Sequence, residues 1–362
     1  MNLMPANSPR IRVLIADDSA VMRVALSRVI ESAPALQVCG TARNGLETLE
    51  KVRLLRPDVV TLDVEMPVLN GLEVLKRIMK EFPRPVIMVS SLTQEGAEVT
   101  LEALSVGAFD YLPKSDCAYP LDPQKLKRDL IEKIEAAANS PLARLHAGTL
   151  MPALLVREQA PIDEFQAIPE IIALGTSTGG PKALQELLPQ LPADLPVGMI
   201  VVQHMPPGFT APFARRLNSL SKLKVCEAIQ GDVVEPGRVY IAPAGQHSTL
   251  SRRLGRRATI CLSHEPCGTL HRPSVDVTML SIAETFGRSA LGIIMTGMGS
   301  DGLQGMTAIR DAGGMTIGQD EATSAVYGMP RCCAENGVLR KVVPLPQLSR
   351  YILQALRYRM RP

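Results

Sequence analysis

From Ile11 to Ala138 the chain alternates short apolar runs with stretches of helical period. Ile11–Ala16, Gln37–Thr41, Val59–Leu62, Val86–Val89 and Phe109–Leu112 read as strands, and the intervening Ala20–Glu31, Gly45–Leu55, Gly71–Glu81, Glu95–Ser105 and Pro123–Ala138 as helices. Five βα units in succession predict a parallel sheet, because parallel neighbours need a crossover, and the crossover helices then cover both faces. A second alternation starts at Ile171–Leu174 and continues with a helix at Ala183–Leu188, a strand at Gly198–Gln203 and a helix at Pro212–Leu220. Strands follow near Lys224–Ala228, Arg238–Ala242 and Ala258–Leu262, then a helix at Val275–Phe286, a strand at Leu291–Thr296 and a helix at Leu303–Asp311. Residues 139–169 hold Pro141, Pro152, Pro161 and Pro169 and no sustained period, which predicts a linker between an α/β domain at 10–138 and a doubly wound α/β domain at 170–358.

Composition agrees with two soluble globular domains: 362 residues exceed one ordinary core at about 150 residues per domain, with 46% hydrophobic and 21% charged positions. Residues 1–138 carry 17 Lys+Arg and 19 Asp+Glu and the remainder 22 and 17, so the second part has a balance of +5. That mild excess suits an acidic partner. Nothing in the chain has the basic patch with interleaved aromatics of a nucleic-acid binder. Seven cysteines without C-x-x-C spacing (Cys39, Cys117, Cys226, Cys261, Cys267, Cys332 and Cys333) suggest reduced thiols rather than zinc or disulfides. No signal-peptide pattern opens the chain and no run of about 18 apolar residues interrupts it, so a cytoplasmic protein without membrane insertion is expected.

In doubly wound sheets the working groups lie at the carboxyl ends of the strands. In the first domain those ends carry Asp17-Asp18, Asp63, Ser90-Ser91 and, after the fifth strand, Lys114. Three carboxylates on one edge repel unless a cation sits among them, and an oxygen-only cluster of few ligands suits Mg²⁺. A lysine and a hydroxyl alongside would hold a transferred phosphoryl group. Asp17 or Asp18 alone would be explained as a helix cap, but four strand ends with complementary chemistry would not.

In the second domain an apolar strand stops abruptly in Gly175-Thr176-Ser177-Thr178-Gly179-Gly180-Pro181. The glycines permit a tight turn and Pro181 a helix start, and the G-x-S-x-G spacing fits an exposed nucleophile. A phosphate-cradling loop shares this layout. Ser177 needs a base and an orienting acid. His204, after the next strand, and Asp301, in Gly297-Met298-Gly299-Ser300-Asp301-Gly302, can supply them, with backbone N–H groups near the turn and that of Met298 as an oxyanion hole. His247, His264 and His271 are rival bases in polar contexts, and His146 lies in the linker. Gly297-x-Gly299-x-x-Gly302 with Asp320 downstream also fits a dinucleotide loop, so a phosphorylation-controlled nucleotide-binding module is the alternative. Arg252, Arg253, Arg256 and Arg257 around Gly255 read first as a solvated hairpin tip and second as a contact for an acidic partner.

Residues 11–135 resemble a response-regulator receiver domain, through Ala16-Asp17-Asp18-Ser19, Thr61-Leu62-Asp63-Val64-Glu65-Met66-Pro67 and the Ser90 and Lys114 positions. The resemblance implies a flavodoxin-like (βα)5 fold, Asp63 as phosphoacceptor, Mg²⁺ held by Asp17, Asp18 and Asp63, Ser90 as switch hydroxyl, Lys114 as phosphate contact and Tyr111 as the state-reporting aromatic. Receivers usually place proline after this lysine, whereas here Pro113 precedes it and Ser115 follows. Residues 170–355 resemble the catalytic domain of the chemotaxis protein-glutamate methylesterases. The match lies in the serine turn, Gln203-His204-Met205-Pro206, Tyr240-Ile241-Ala242-Pro243, Pro273-Ser274-Val275-Asp276, Met295–Gly302 and Gln319-Asp320-Glu321, with Thr176 and Ala244 as small departures. This implies a Ser177–His204–Asp301 triad with Met298 lending an oxyanion N–H and no cofactor in the catalytic domain. It also implies methyl-accepting chemoreceptors as substrates for ester hydrolysis and glutamine deamidation, and a chemotaxis histidine kinase as phosphodonor. Phosphorylation would then loosen an inhibitory contact between receiver and catalytic face.

Overall fold

The computed structural model describes residues 9–91, 93–114, 123–140, 143, 167–252 and 257–358. Cys117, Ser115, most of the predicted linker with His146, and Arg253, Gly255 and Arg256 of the basic knot lie outside the described residues. The chain divides into two compact units, residues 1–154 and 155–362.

In the first unit, strands β1 (Ile11–Ala16), β2 (Leu36–Ala42), β3 (Val59–Asp63), β4 (Val86–Ser90) and β5 (Asp110–Pro113) alternate with helices α1 (Ala20–Glu31), α2 (Gly45–Leu55), α3 (Gly71–Glu81), α4 (Gln94–Val106) and α5 (Pro123–Ala138). All pairings are parallel, in the order β2-β1-β3-β4-β5. β3 and β4 are buried along their whole length, which is why they read as unbroken apolar runs. Helix starts are set by side chains that bond the first free N–H groups: Ser19 for α1, Asn44 for α2, Thr93 for α4, and Asn70 with Glu73 in a reciprocal capping box for α3. One core packs Val13, Ile15, Ile30, Leu36 and Ile87 with Leu130 and Ile134 of α5.

The second unit begins with β6 (Ile171–Thr176), α6 (Gly180–Leu187), β7 (Gly198–Gln203), α7 (Thr210–Leu220), β8 (Lys224–Glu227) and β9 (Arg238–Ile241). After these come the hairpin β10 (His247–Ser251) and β11 (Thr259–Ser263), then α8 (Val275–Phe286), β12 (Ala290–Ile294), α9 (Leu303–Asp311) and β13 (Met315–Gln319), with α10 (Met329–Glu335), β14 (Lys341–Val343) and α11 (Leu345–Ala355) last. Seven strands form a parallel sheet in the order β14-β13-β12-β6-β7-β9-β8. β11, predicted as one more strand of that sheet, instead pairs antiparallel with β10 and is bridged on its other side to Val233, in the segment between β8 and β9. The helix after the serine starts at Gly180, earlier than its apolar period indicates, because Gly179 turns the chain at φ +77° and Pro181 fits the first helical turn. A core of Ile171, Ala173, Ile200, Leu250, Ile260, Val275, Ile282 and Ile294 joins the hairpin and α8 to one face of the sheet.

Strand order reverses beside β1 in the first sheet and beside β6 in the second, since each has its sequence neighbour on one side and a later strand on the other. Such switch points open a crevice at the strands' carboxyl ends. Both groups of predicted site residues begin there.

Candidate functional site

At the first switch point, one oxygen from each of Asp17, Asp18 and Asp63 can be chosen so that all lie within 4.8 Å of one another. Asp17 and Asp63 are buried and Asp18 is exposed. The Lys114 ammonium lies 2.7 Å from Asp63 Oδ2 and 3.2 Å from Asp17 Oδ2, one cation against two buried anions. Burial pushes the Asp63 carboxyl up to about 6, and Asp17 adds to the rise, while the bond from Lys114 only partly offsets it. Lys114 loses solvation too, yet Asp63 and Asp17 more than offset that and raise its pKa. The surplus negative charge and hard oxygen donors are the chemistry that a Mg²⁺ ion fits. Ser90 Oγ donates toward Gly96 O at 3.2 Å, into the first turn of α4, and the Tyr111 ring is buried with Lys133 Nζ 5.2 Å from its centre.

At the second switch point, His204 Nε2 lies 2.8 Å from Asp301 Oδ2, with the two side chains only 8% and 13% exposed, so little water weakens the pair. Asp301 sits on the N terminus of α8: Val275 N and Asp276 N donate to its two oxygens at 2.8 and 3.0 Å, and Ser274 Oγ donates at 2.9 Å. Burial by itself would raise this carboxyl, but the bond to His204 and the helix N–H groups reverse that and hold it well below the usual carboxylate range. Asp276 in turn receives Gly302 N and Gly305 N at 2.9 and 2.8 Å, capping α9, so the two aspartates tie α8 and α9 to each other. Burial raises the Asp276 pKa, and the nearby Asp301 charge adds to it.

Because Nε2 faces the carboxylate, Nδ1 is the ring nitrogen left for Ser177; it is buried and without a hydrogen-bond partner. No hydrogen bond joins Ser177 Oγ to His204 among the described residues; in a nucleophile–base pair such a bond often tightens only when substrate binds. The backbone brings the two together instead. Gln203 Nε2 donates both to Ser177 O at 3.0 Å and to His204 O at 2.9 Å, and His204 N donates to Thr176 O at 3.2 Å. Gly180 leaves the room this clamp needs, since a Cβ there would stand 2.1 Å from Gln203 Oε1. The loop carrying Met298 is knitted to the serine turn: Ser177 N and Thr176 Oγ1 both donate to Thr296 O, at 3.0 and 2.8 Å, and Thr296 Oγ1 donates to Thr178 O at 2.9 Å. Gln319 Oε1 accepts Thr296 N at 2.9 Å.

The pattern of residues along the chain assigns no role to Gln203, Ser274, Asp276, Thr296 or Gln319. The signal available for the two glutamines is a long polar amide ending a fully buried strand. Of the rival bases, His264 is exposed against Gly245 O, and His247 is fully buried, with Nδ1 accepting from Ser274 N at 3.2 Å. His271 stacks on His204. Asp320 is occupied by its own turn, bonding Thr323 N and Oγ1, and Asp301 within the glycine loop is engaged by His204 and α8, which disfavours the dinucleotide reading. Of the basic knot, Arg252 pairs with Glu170 at 2.8 Å and Arg257 with Glu235 at 3.6 Å. The described cysteines are free thiols, and no helix among the described residues is long and apolar enough to cross a membrane.

Residues 172–352 match the CheB methylesterase family model, and residues 13–128 match the response regulator receiver domain. A protein-glutamate methylesterase/protein-glutamine glutaminase of Pyrococcus abyssi is 46% identical over 98% of this chain and 95% of its own length. Its counterpart in Desulfitobacterium hafniense is 41% identical over 98% and 100%. The crystal structure of the Thermotoga maritima CheB methylesterase catalytic domain superposes with a TM-score of 0.50 at 39% identity, covering 51% of this chain and 98% of that one. With both domain models matched in series and relatives aligned along nearly the whole length, the chain belongs to the protein-glutamate methylesterase/protein-glutamine glutaminase family, a receiver domain preceding a CheB methylesterase domain.

Proposed function

We propose that the protein is a phosphorylation-activated esterase that hydrolyses glutamate methyl esters on chemoreceptors, releasing methanol, and deamidates receptor glutamines to glutamate. Ser177 Oγ attacks the ester or amide carbonyl while His204 Nδ1 takes its proton, and Asp301 stabilises the imidazolium through Nε2–H. The N–H of Met298 receives the developing oxyanion. His204 returns the proton to the departing methoxy oxygen or amide nitrogen, which leaves as methanol or ammonia, and water then resolves the acyl-enzyme by the same route. The single observation behind this assignment is the 2.8 Å His204–Asp301 bond, its carboxylate anchored on a helix N terminus, at the strand edge that also carries Ser177.

In the receiver, Asp63 accepts the phosphoryl group from a chemotaxis histidine kinase. Asp17, Asp18 and Asp63 would hold Mg²⁺, which when bound neutralises the carboxylates and the phosphoryl oxygens. Lys114 holds the transferred group, Ser90 turns from Gly96 O toward it, and Tyr111 follows that change.

Methanol release from methylated receptor membranes tests both halves, using the parent protein and Ser177→Ala, each with and without a small-molecule phosphodonor and Mg²⁺. Release that rises with phosphodonor and vanishes in the variant is expected. No release under any condition overturns the esterase reading.

A further inference from the structure

His204 is held along one ring edge by Asp301, while its opposite nitrogen, Nδ1, is buried with no hydrogen-bond partner. One hydrogen bond fixes a point on the ring but lets the plane swing, and with it the direction in which Nδ1 points. The face of the ring is where the missing constraint lies. The His271 imidazole stacks on it with centroids 3.9 Å apart and planes within 15°.

The segment that carries His271 is itself fixed. Gly245 N donates to Arg272 O at 3.0 Å, and Ser274 N donates to Nδ1 of the fully buried His247. With Nδ1 accepting, His247 carries its proton on Nε2 and directs it at Pro266 O, 3.2 Å away. Burial lowers the pKa of His247, which favours this neutral form. Three residues after His271, the same segment supplies Ser274 Oγ and then Val275 N to Asp301. The stretch from 271 to 276 therefore sets both the plane of the imidazole and the direction of its carboxylate.

We infer that His271 is a positioning residue for the hydrolysis: its ring face holds His204 in the plane from which Nδ1 reaches Ser177. The inference rests on the triad reading above. Its contribution is a flat aromatic surface rather than a proton.

The test uses the full chain with methylated receptor membranes, phosphodonor and Mg²⁺, and measures kcat and KM separately. His271→Ala is expected to lower kcat about 10- to 100-fold with KM little changed, the cost of misplacing a reacting group by a fraction of its bond length or more. His271→Phe, which keeps the flat face and cannot titrate, is expected to recover most of the lost kcat, a rescue that also decides the matter if the alanine variant folds poorly. Parent kcat in His271→Ala would overturn the inference, as would a rise in KM alone, which would mean contact with substrate. A phenylalanine variant as slow as the alanine one would overturn it too. Should the parent show no Ser177-dependent turnover, the triad reading falls and takes this with it. Should the parent turn over and His271→Ala match it, this inference falls alone.

Discussion

The acidic cluster of the first unit and the His204–Asp301 pair of the second lie at equivalent places in two parallel sheets, yet their carboxylates are driven in opposite directions. Asp63 shares one ammonium with Asp17 inside the protein and is pushed up to about 6. Asp301 is also buried, but two helix N–H groups, a serine hydroxyl and a histidine converge on it and hold it down. The difference is in the number of donors per anion. Where each buried acid has only a shared ammonium and one backbone N–H, the site stores electrostatic strain that a cation or a phosphoryl transfer relieves. A carboxylate surrounded by donors stays a fixed anion, suited to orienting a base through every turnover.

The largest effects break the hydrolytic half of this comparison. Ser177→Ala should reduce kcat by about 10⁶ if the triad acts as a unit. Asp301→Asn, which keeps shape but lets the histidine take the wrong tautomer, should cost about 10⁴ in methanol release. A loss of only a few-fold would mean that the helix-seated anion is structural.

Asp63→Asn sharpens the other half. It should remove the phosphodonor-dependent increment of activity, and a response equal to the parent's would end the phosphoacceptor assignment. The raised pKa also fixes a sign. Between about 4 and 6 the folded carboxyl holds a proton that the unfolded one has released, so rising pH costs the receiver stability across that window, by about 3 kcal/mol at most. Hydrogen exchange of β1 and β3 amides in Mg²⁺-free buffer should show protection falling from pH 4.5 to 6.5, and less so in Asp63→Asn. Asp301 behaves oppositely. Its lowered pKa stabilises the second unit above the ordinary carboxylate range and is lost only as pH falls through the depressed value. Protection around β12 that dropped with rising pH in the same experiment would contradict the contrast. The smallest effect is expected from Thr176→Val, which removes one buried hydrogen bond to Thr296 O while Ser177 N still satisfies that carbonyl, about 1 kcal/mol in denaturant unfolding.

Much of this architecture is legible in the residue pattern alone. Buried parallel strands announce themselves as apolar runs, and a polar residue at the end of such a run has no packing reason to be there, which is how Asp17, Asp63, Ser177 and His204 stand out. The elements past Asp311 and the β10–β11 hairpin are less readable. β10, His247–Ser251, mixes polar and apolar positions, and β14 is only three residues long.

Local sequence determined the elements, the glycine-rich turn after β6 and the acidic strand ends, because each depends on neighbours a few positions away. Tertiary structure decided which nitrogen of His204 meets Asp301, that Gln203 bonds the carbonyls of both Ser177 and His204, that Asp301 rests on α8, and that His271 stacks on His204. Most of these contacts join residues 25 to 97 positions apart, and their donors and acceptors meet only once both flanking strands and the helix have packed, so no pattern along the chain encodes them directly.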